Sequence, residues 1–389
     1  MKNPYKSYKM KLTTLSPVFI GSGESLNPGQ YVFNQEDNSA KVLDEVKFSS
    51  FLAKNHLIDE YADALINFGD KINLYKWLKE NRISSNIPIF SYSLPCKYIG
   101  KNSLNVIKLF VKNSDGLPYI PGSSIKGAIR TAILAKYIHD NKDKFESDWL
   151  QIKEAINSNK KSNIDSAIKN FENKCFKIIE YKREKQTDKV EKGNVFSTLR
   201  ITDSLPISRN NLYVTKRKDF AIHKETPSFM PLCLEMVKPN TDITFEMSID
   251  RGVLDYFTIE KIKEALNYYT QEQIKLYKTF RKNDKDNLFM PDEIVEDIVP
   301  NICLGGHSGY FNKNIIYSLA PTREDAVDVL RCYFSNKFDR GKKDHKHRIY
   351  DKEISPHTMK VVTDRGDDIP VGWCNISVEK EIDVSDITD

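Results

Sequence analysis

Two rhythms of hydrophobic and polar positions alternate along this chain, and they set its expected elements. Over Thr13–Ile20 the pattern predicts a strand ending in a Gly-Ser-Gly loop. Ser16-Pro17 interrupts it, because a proline inside a strand confines it to an edge or a bulge. Gln30–Phe33 and Ala40–Leu43 predict a hairpin across a turn-rich 34–39 segment. From Val46 to Leu78 the period becomes helical. Phe48, Phe51, Leu52, Ile58, Tyr61, Leu65 and Phe68 share one face, followed by Ile72, Tyr75 and Leu78. Asn105–Val111 reads as a strand, and Gly116–Pro118 turns it towards a helix whose face carries Ile125, Ile129, Ile133, Leu134 and Tyr137.

A Lys/Asn-rich stretch follows Ile138 and runs to about Asn194. Phe145, Trp149, Ile152, Ile156, Ile164, Ile168 and Phe171 predict that it is helical rather than disordered. Val195–Thr202 returns to strand, and Leu205–Leu234 is basic and rich in turns. Ile243, Phe245, Met247 and Ile249 alternate as a half-buried strand. Thr258–Arg281 predicts a long helix through Ile259, Ile262, Leu266, Tyr269, Ile274, Tyr277 and Phe280. After it, Ile315–Leu319 reads as strand, Glu324–Phe334 as helix and Trp373–Val378 as strand, with an acidic tail. Strands and helices mixed without a regular βα repeat predict an α+β fold. A chain of 389 residues has room for two domains or one decorated domain.

Composition narrows the classes. No apolar run reaches eighteen residues, so no membrane-spanning helix is expected, and the first fifteen residues lack the apolar core of a signal peptide. Cys96, Cys175, Cys233, Cys303, Cys332 and Cys374 are scattered without a CxxC pair. They predict reduced thiols in a cytoplasmic protein, and no zinc site. The net charge of +5 does not by itself indicate nucleic acid. Its distribution says more: Lys216, Arg217 and Lys218 form one basic knot, and Lys337, Arg340, Lys342, Lys343, Lys346 and Arg348 another. Such patches attract phosphates, although lysine-rich loops are often only solvated.

The segment Tyr119–Arg130, YIPGSSIKGAIR, carries the clearest candidate chemistry. A Pro-Gly turn runs into Ser123 and Ser124, either of which can cap a helix by accepting from its first-turn N–H groups. Lys126 and Arg130 stand four apart beside that helix start. Free amides and two cations at one helix end suit a phosphate. The plainer reading of the segment alone is a well-capped core helix with two solvated cations. In LGGHSGY, Leu304–Tyr310, the backbone at Gly305, Gly306 and Gly309 can approach a phosphate closely. It is neither a Walker loop nor a dinucleotide fingerprint, and by itself such a run is most often a tight turn. His307 lies within it and is of a type that titrates near neutral pH. His56, His139, His223, His345, His347 and His357 show no triad-like or metal-like grouping along the chain, and His345 and His347 sit in a basic loop poorly suited to a metal.

Taken in order, FIGSG (Phe19–Gly23), PGSSIKGAIRT (Pro121–Thr131), RITDS (Arg200–Ser204) and the glycine-rich loop resemble the RAMP superfamily of CRISPR effector subunits. More narrowly, they resemble the subunit that ends the backbone of the type III-A (Csm) complex and caps the 3′ side of the guide RNA. Gly372–Cys374, GWC, suits that subunit too. The resemblance implies a ferredoxin-like (RRM-like) core of four antiparallel strands with helices on one face, helical insertions, and a second RAMP-like unit. Accordingly, residues 1–250 are expected to form an N-terminal RAMP domain with insertions at about 46–80 and 139–192, and residues 251–389 a C-terminal RAMP-like domain.

The resemblance also implies a thumb hairpin at 205–235, which carries Arg209, Tyr213, Lys216, Arg217, Lys218, Phe220 and His223. There the cations would hold phosphates while Tyr213 or Phe220 stacks on a base. The alternative is a mobile basic loop with both rings folded back on the core. In the repeated backbone subunit of such complexes, a metal-dependent aspartate in the first loop cuts target RNA. Here an insertion after Gly23 replaces that loop, and Asp37 and Asp44 stand in no matching motif. Asp203 and Glu24 read as capping or turn residues. The resemblance therefore implies a non-catalytic RNA-binding subunit with no cofactor and no metal. Its RNA contacts would come from Ser22, Ser123, Ser124, Lys126, Arg130, Arg209, Lys216, Arg217, Lys218, Gly305, Gly306, His307 and Gly309. Its partners would be guide RNA (crRNA), target RNA, the repeated backbone subunit, the small subunit and, for guide maturation, cellular nucleases; no membrane is implied. The rival is a metal-independent guide-processing endoribonuclease using His307.

Overall fold

Tyr5–Thr14 (β1) alternates from Tyr8 onward: Tyr8, Met10 and Leu12 are buried, while Lys9 and Lys11 point out and pair with Glu379 and Asp242; Lys6, on the face of Tyr8 at the strand's start, pairs with Glu381. The first strand thus precedes the expected Thr13–Ile20. It stops at Thr14 because Leu15 and Ser16 donate their amides to Trp373 O, and Ser16 Oγ accepts the Trp373 N–H. The computed structural model describes residues 4–34, 36–69, 72–84, 87–97, 99, 105–157, 161–178, 180–184, 190–253, 257–281, 288, 290–293, 298–339, 345–364 and 366–382.

The remaining elements follow in order. Gly21–Leu26 (β2) is a strand where a Gly-Ser-Gly loop was expected, and Tyr31–Asn34 (β3) with Ser39–Leu43 (β4) forms the expected hairpin. Glu45–Lys54 (α1), Ile58–Phe68 (α2) and Leu74–Glu80 (α3) make the first helical insertion. Phe48, Leu52, Trp77 and Leu78 are buried there, but Ile58, Leu65 and Phe68 are exposed, so the single continuous face is not realised. Phe90–Pro95 (β5) and Val106–Phe110 (β6) precede the long helix Gly122–Asp140 (α4), which buries Ile125, Ile129, Leu134 and Ile138.

Glu146–Asn157 (α5) and Lys161–Ile178 (α6) are helical as expected. The same insertion then turns into a hairpin, Glu180–Glu184 (β7) and Val190–Asn194 (β8). Of the strand expected over Val195–Thr202, only Leu199–Ile201 (β9) is extended, because Val195–Thr198 coils into a 3₁₀ turn. Leu212–Ala221 (β10), Ser228–Val237 (β11) and Asp242–Asp250 (β12) lead into the helix Ile259–Lys278 (α7). Ile302–Cys303 (β13) follows. Ile316–Leu319 (α8) is a helical turn rather than a strand, with Asn314 Oδ1 accepting the Ile316 N–H. Arg323–Phe338 (α9), His347–Tyr350 (α10), Thr358–Asp364 (β14), Asp367–Pro370 (β15) and Trp373–Ile382 (β16) complete the described chain.

The fold is mixed α+β with two main sheets. The first has strand order β13-β16-β1-β12-β9, and every adjacent pair is antiparallel. Helices α4 and α7 pack against each other, and their buried residues join those of this sheet in the largest core cluster. The second sheet has the order β15-β14-β10-β11-β6-β2, with β11 and β6 parallel. The first sheet takes β1 and β12 from one side of residue 250 and β13 and β16 from the other. The second likewise joins β10 to β14 across that position. Among the described residues, no helix is long and apolar enough to cross a membrane, and all six cysteines are free thiols.

Candidate nucleic-acid interface

The start of α4 is held from inside the protein. Its N-cap is Pro121, and neither Ser123 nor Ser124 supplies the expected side-chain cap. Gly122 lies so close to the end of β9 that an added Cβ would stand 2.4 Å from Ile201 O. This approach lets Asp203 Oδ1 accept the Gly122 N–H at 2.8 Å, a capping role. Ser204 exchanges two bonds with Ile120, accepting its N–H through Oγ and donating its own N–H to Ile120 O, both at 2.9 Å. Thr202 ties the segment to Glu246 on β12. The RITDS block is therefore a clasp on the helix start. A carboxylate already faces the positive end of the helix dipole, which corrects the expectation of an open phosphate seat there. Lys126 is also turned inward: its Nζ donates to Leu199 O at 2.7 Å, and burial together with Arg130 pushes its ammonium pKa down. Ser123 and Arg130 remain exposed.

A second group gathers around Phe19. Gly305 has φ +82°, and a Cβ there would meet Phe19 O at 2.2 Å, so only glycine fits. The Gly306 N–H donates to Phe19 O at 2.7 Å, which takes up an amide expected to face RNA. A Cβ on Gly21 would lie 3.1 Å from the Phe19 ring. The FIGSG strand and the GGHSG loop, far apart in sequence, thus meet on one buried phenylalanine. Ser308 Oγ donates to Gly305 O, and Tyr277 and Asn312 donate to Ser308 O, so the loop is built rather than loose. Gly309 takes φ +94° within it. Ser22 is exposed on β2, with its Oγ donating to Leu109 O at 3.4 Å.

His307 sits on this rim with its ring centroid 5.3 Å from that of Phe19. Arg217 Nη1 lies 3.1 Å from His307 Nδ1. A guanidinium only donates, so Nδ1 accepts and the imidazole proton is on Nε2. Burial, then the charges of Arg217, Lys108 and Lys360, push the imidazole down to about 4. His307 is therefore neutral at pH 7 and holds no spare proton for acid catalysis. Arg217 pairs with Asp219 at 3.2 Å, and Asp219 with Lys360 at 2.9 Å.

The thumb region is a real hairpin, β10 with β11, but β10 also pairs with β14. It is an interior part of a six-stranded sheet and does not project. Tyr213 and Phe220 are 1% and 4% exposed, so neither can stack on a base, which corrects that expectation. Lys216 is buried, and Lys218 pairs with Asp368 at 2.7 Å. Arg209 donates to Asp115 O and Gly116 O, bracing the turn before α4. His223 stacks on Tyr350 at 3.7 Å. The reading of the sequence missed Phe19, Lys108, Asp219 and Lys360. Phe19 and Lys108 were visible within predicted strands; Lys360 lies in a segment read as loop.

The histidines also group where none was expected. His347 and His357 both reach Asp351, and all three are buried. Burial pushes the Asp351 carboxyl up, but hydrogen bonds from His347, His357 and Ser355 more than offset it and hold it down to about 2.

A mixed fold with two interleaved sheets and a glycine-built, cationic rim is the setting in which the family can be stated. The chain belongs to the RAMP superfamily, whose model matches residues 11–358. It is similar to the CRISPR system Cms protein Csm5 of Streptococcus thermophilus, with 26% identity over 329 residues, covering 81% of this chain and 82% of that protein. The Csm5 protein of Enterococcus italicus is 24% identical over 367 residues, covering 86% and 88% of the two chains. Among solved structures, one chain of a cryo-EM Csm–crRNA–target RNA ternary complex of a type III-A CRISPR-Cas system shares the fold. Its TM-score is 0.65 at 21% identity, covering 96% of this chain and all of that one. A crystal structure of T. onnurineus Csm5 aligns with a TM-score of 0.54 at 20% identity, covering 94% and 99%.

Proposed function

We propose that this chain is a non-catalytic RNA-binding subunit of a type III-A (Csm) CRISPR effector complex. It caps the backbone at the 3′ side of the guide RNA and supports guide maturation. The observation that carries this reading is the meeting of FIGSG and GGHSG on Phe19, beside Lys108, Arg217, His307 and Lys360. Glycines bring backbone to the surface while the cations supply positive potential, which suits contact with a sugar-phosphate chain of any sequence. Lys108, Lys360, Ser22, Arg217, His307, Gly309, Ser123 and Arg130 are the outward contacts of this reading. Lys126, Arg209, Lys216, Lys218, Ser124, Gly305 and Gly306 support them from within. The similarity to Csm5 proteins supports the choice of complex, and with it the partners: guide RNA, target RNA, the repeated backbone subunit and the small subunit, with cellular nucleases trimming the guide. The order β16-β1-β12-β9, with α4 and α7 as the two crossovers, supports a ferredoxin-like reading of the first sheet.

Binding of labelled guide RNA to the purified protein, read by fluorescence anisotropy across a salt series, tests this reading. Lys108→Ala with Lys360→Ala should lower affinity and flatten the salt slope by ~0.7 per lost contact for single strands. An unchanged slope would sink the interface. The rival is nuclease action through His307. It predicts site-specific cleavage of precursor guide RNA, lost in His307→Ala; the neutral, Arg217-bound imidazole predicts no cleavage by either protein.

A further inference from the structure

We propose that His347, Asp351 and His357 form a binding site for a divalent transition-metal cation of the zinc class. The ligand atoms are His347 Nδ1, His357 Nδ1 and the Asp351 carboxylate, and all lie within 4.8 Å of one another. His347 Nδ1 is 3.0 Å from Asp351 Oδ2, and His357 Nδ1 is 2.5 Å from Asp351 Oδ1. Zinc bonds of about 2.0–2.2 Å in a tetrahedron put donor atoms about 3.3 Å apart. The His347 pair is already near that spacing, and the His357 pair needs to open by less than about 1 Å. His347 and Asp351 are four residues apart on α10 and its cap, and His357 returns to them just before β14.

Without a cation, the same atoms are joined by hydrogen bonds in which both Nδ1–H groups donate to Asp351. Binding asks each neutral imidazole to move its proton from Nδ1 to Nε2, which frees both Nδ1 lone pairs for one M²⁺. Outer contacts suited to a metal site are in position: the His357 N–H and Ser355 Oγ both donate to the carboxylate, fixing its orientation. The His347 ring stacks on Phe334 of α9, with 5.2 Å between centroids. Two imidazoles, one carboxylate and no thiolate select zinc, cobalt or nickel over magnesium and calcium, which prefer all-oxygen sites. A fourth position falls to water. Bound metal would bolt α10 to the start of β14, and it requires no RNA contact.

Tag-free full-length protein, stripped with chelator, is titrated with Co²⁺. The expected result is one Co²⁺ per chain with the visible d–d absorption of a four-coordinate site, displaced by Zn²⁺. His357→Asn should weaken Zn²⁺ binding by at least about 100-fold, and His345→Ala, at the exposed neighbouring histidine, should leave it unchanged. No saturable Co²⁺ absorption, or wild-type Zn²⁺ affinity in folded His347→Asn and His357→Asn, would overturn the proposal. If those variants fail to fold, X-ray absorption of the Zn²⁺-loaded wild type decides. Two imidazoles and one carboxylate in the first shell support the site; thiolate ligands or fewer than two imidazoles sink it.

Discussion

The start of α4 and the rim around Phe19 are assembled from similar parts: a glycine pressed against backbone, cations alongside, and a residue aimed at an N–H or a ring. They end in opposite conditions. At α4 the protein supplies its own anion, Asp203, and turns Lys126 inward onto Leu199 O. At Phe19 the glycines lock a loop, while Lys108 stays exposed, the Lys360 side chain keeps 25% of its surface in solvent and that of Arg217 keeps 11%. The difference teaches that a helix N-terminus with adjacent cations is not yet a phosphate site. What decides is whether an internal carboxylate has already taken the amides.

The largest way to break this comparison is at the glycines. Gly305→Ala would place a Cβ 2.2 Å from Phe19 O at a positive φ, and we expect a loss of about 3–5 kcal/mol in urea unfolding. A wild-type midpoint would remove Phe19 as the hub. Next comes pH. The His307 imidazole is depressed from its ordinary 6.5 to about 4, so the unfolded chain binds its proton first as pH falls. Its contribution is full above pH 6.5 and falls away as pH drops to 4, by about 1–2 kcal/mol once solvent screening of the partly exposed ring is allowed for. His307→Gln should show a shallower loss of melting temperature over that window; an identical slope would contradict the buried neutral ring.

Of similar size is Asp203→Ala, expected to cost about 1–2 kcal/mol through the lost cap while RNA affinity stays unchanged. A drop in affinity would mean that the first-turn amides of α4, and not only the exposed Ser123 and Arg130, touch RNA. The smallest expected effect on stability is that of Lys108→Ala, within about 0.5 kcal/mol, with a salt slope lower by ~0.7. Opposite readouts for these two variants would sharpen the contrast into a double dissociation.

Much of the helical fold was legible because long apolar faces leave a strong period. Thr258–Arg281 and the α4 face came through nearly intact. The strands were harder. β1 alternates clearly at Tyr8, Met10 and Leu12, but with lysines between them no strand was read before Thr13. The basic run at Lys216–Lys218 read as a free surface because Asp368, the partner of Lys218, comes from β15; Asp219, the partner of Arg217, stood next to the run and was overlooked. Tyr213 and Phe220 were assigned outward because nothing local shows what covers β10: Tyr213 joins the main core cluster, and Phe220 clusters with residues of α7 and β14. The helix-start site was overread since the partner of Gly122 lies 81 residues away. The histidine group was missed although His347 and Asp351 sit one helical turn apart, because nothing local shows that His357 folds back.

β1 lies between β12 and β16. During synthesis it can zip to β12 soon after residue 250 emerges, yet its other edge stays bare until Trp373–Ile382 leaves the ribosome. At about 5–20 residues per second that interval is on the order of ten seconds. A nascent chain of this protein therefore carries an open strand edge while residues 251–382 are being made, the period in which a holdase or a sister chain has the best chance of seizing it.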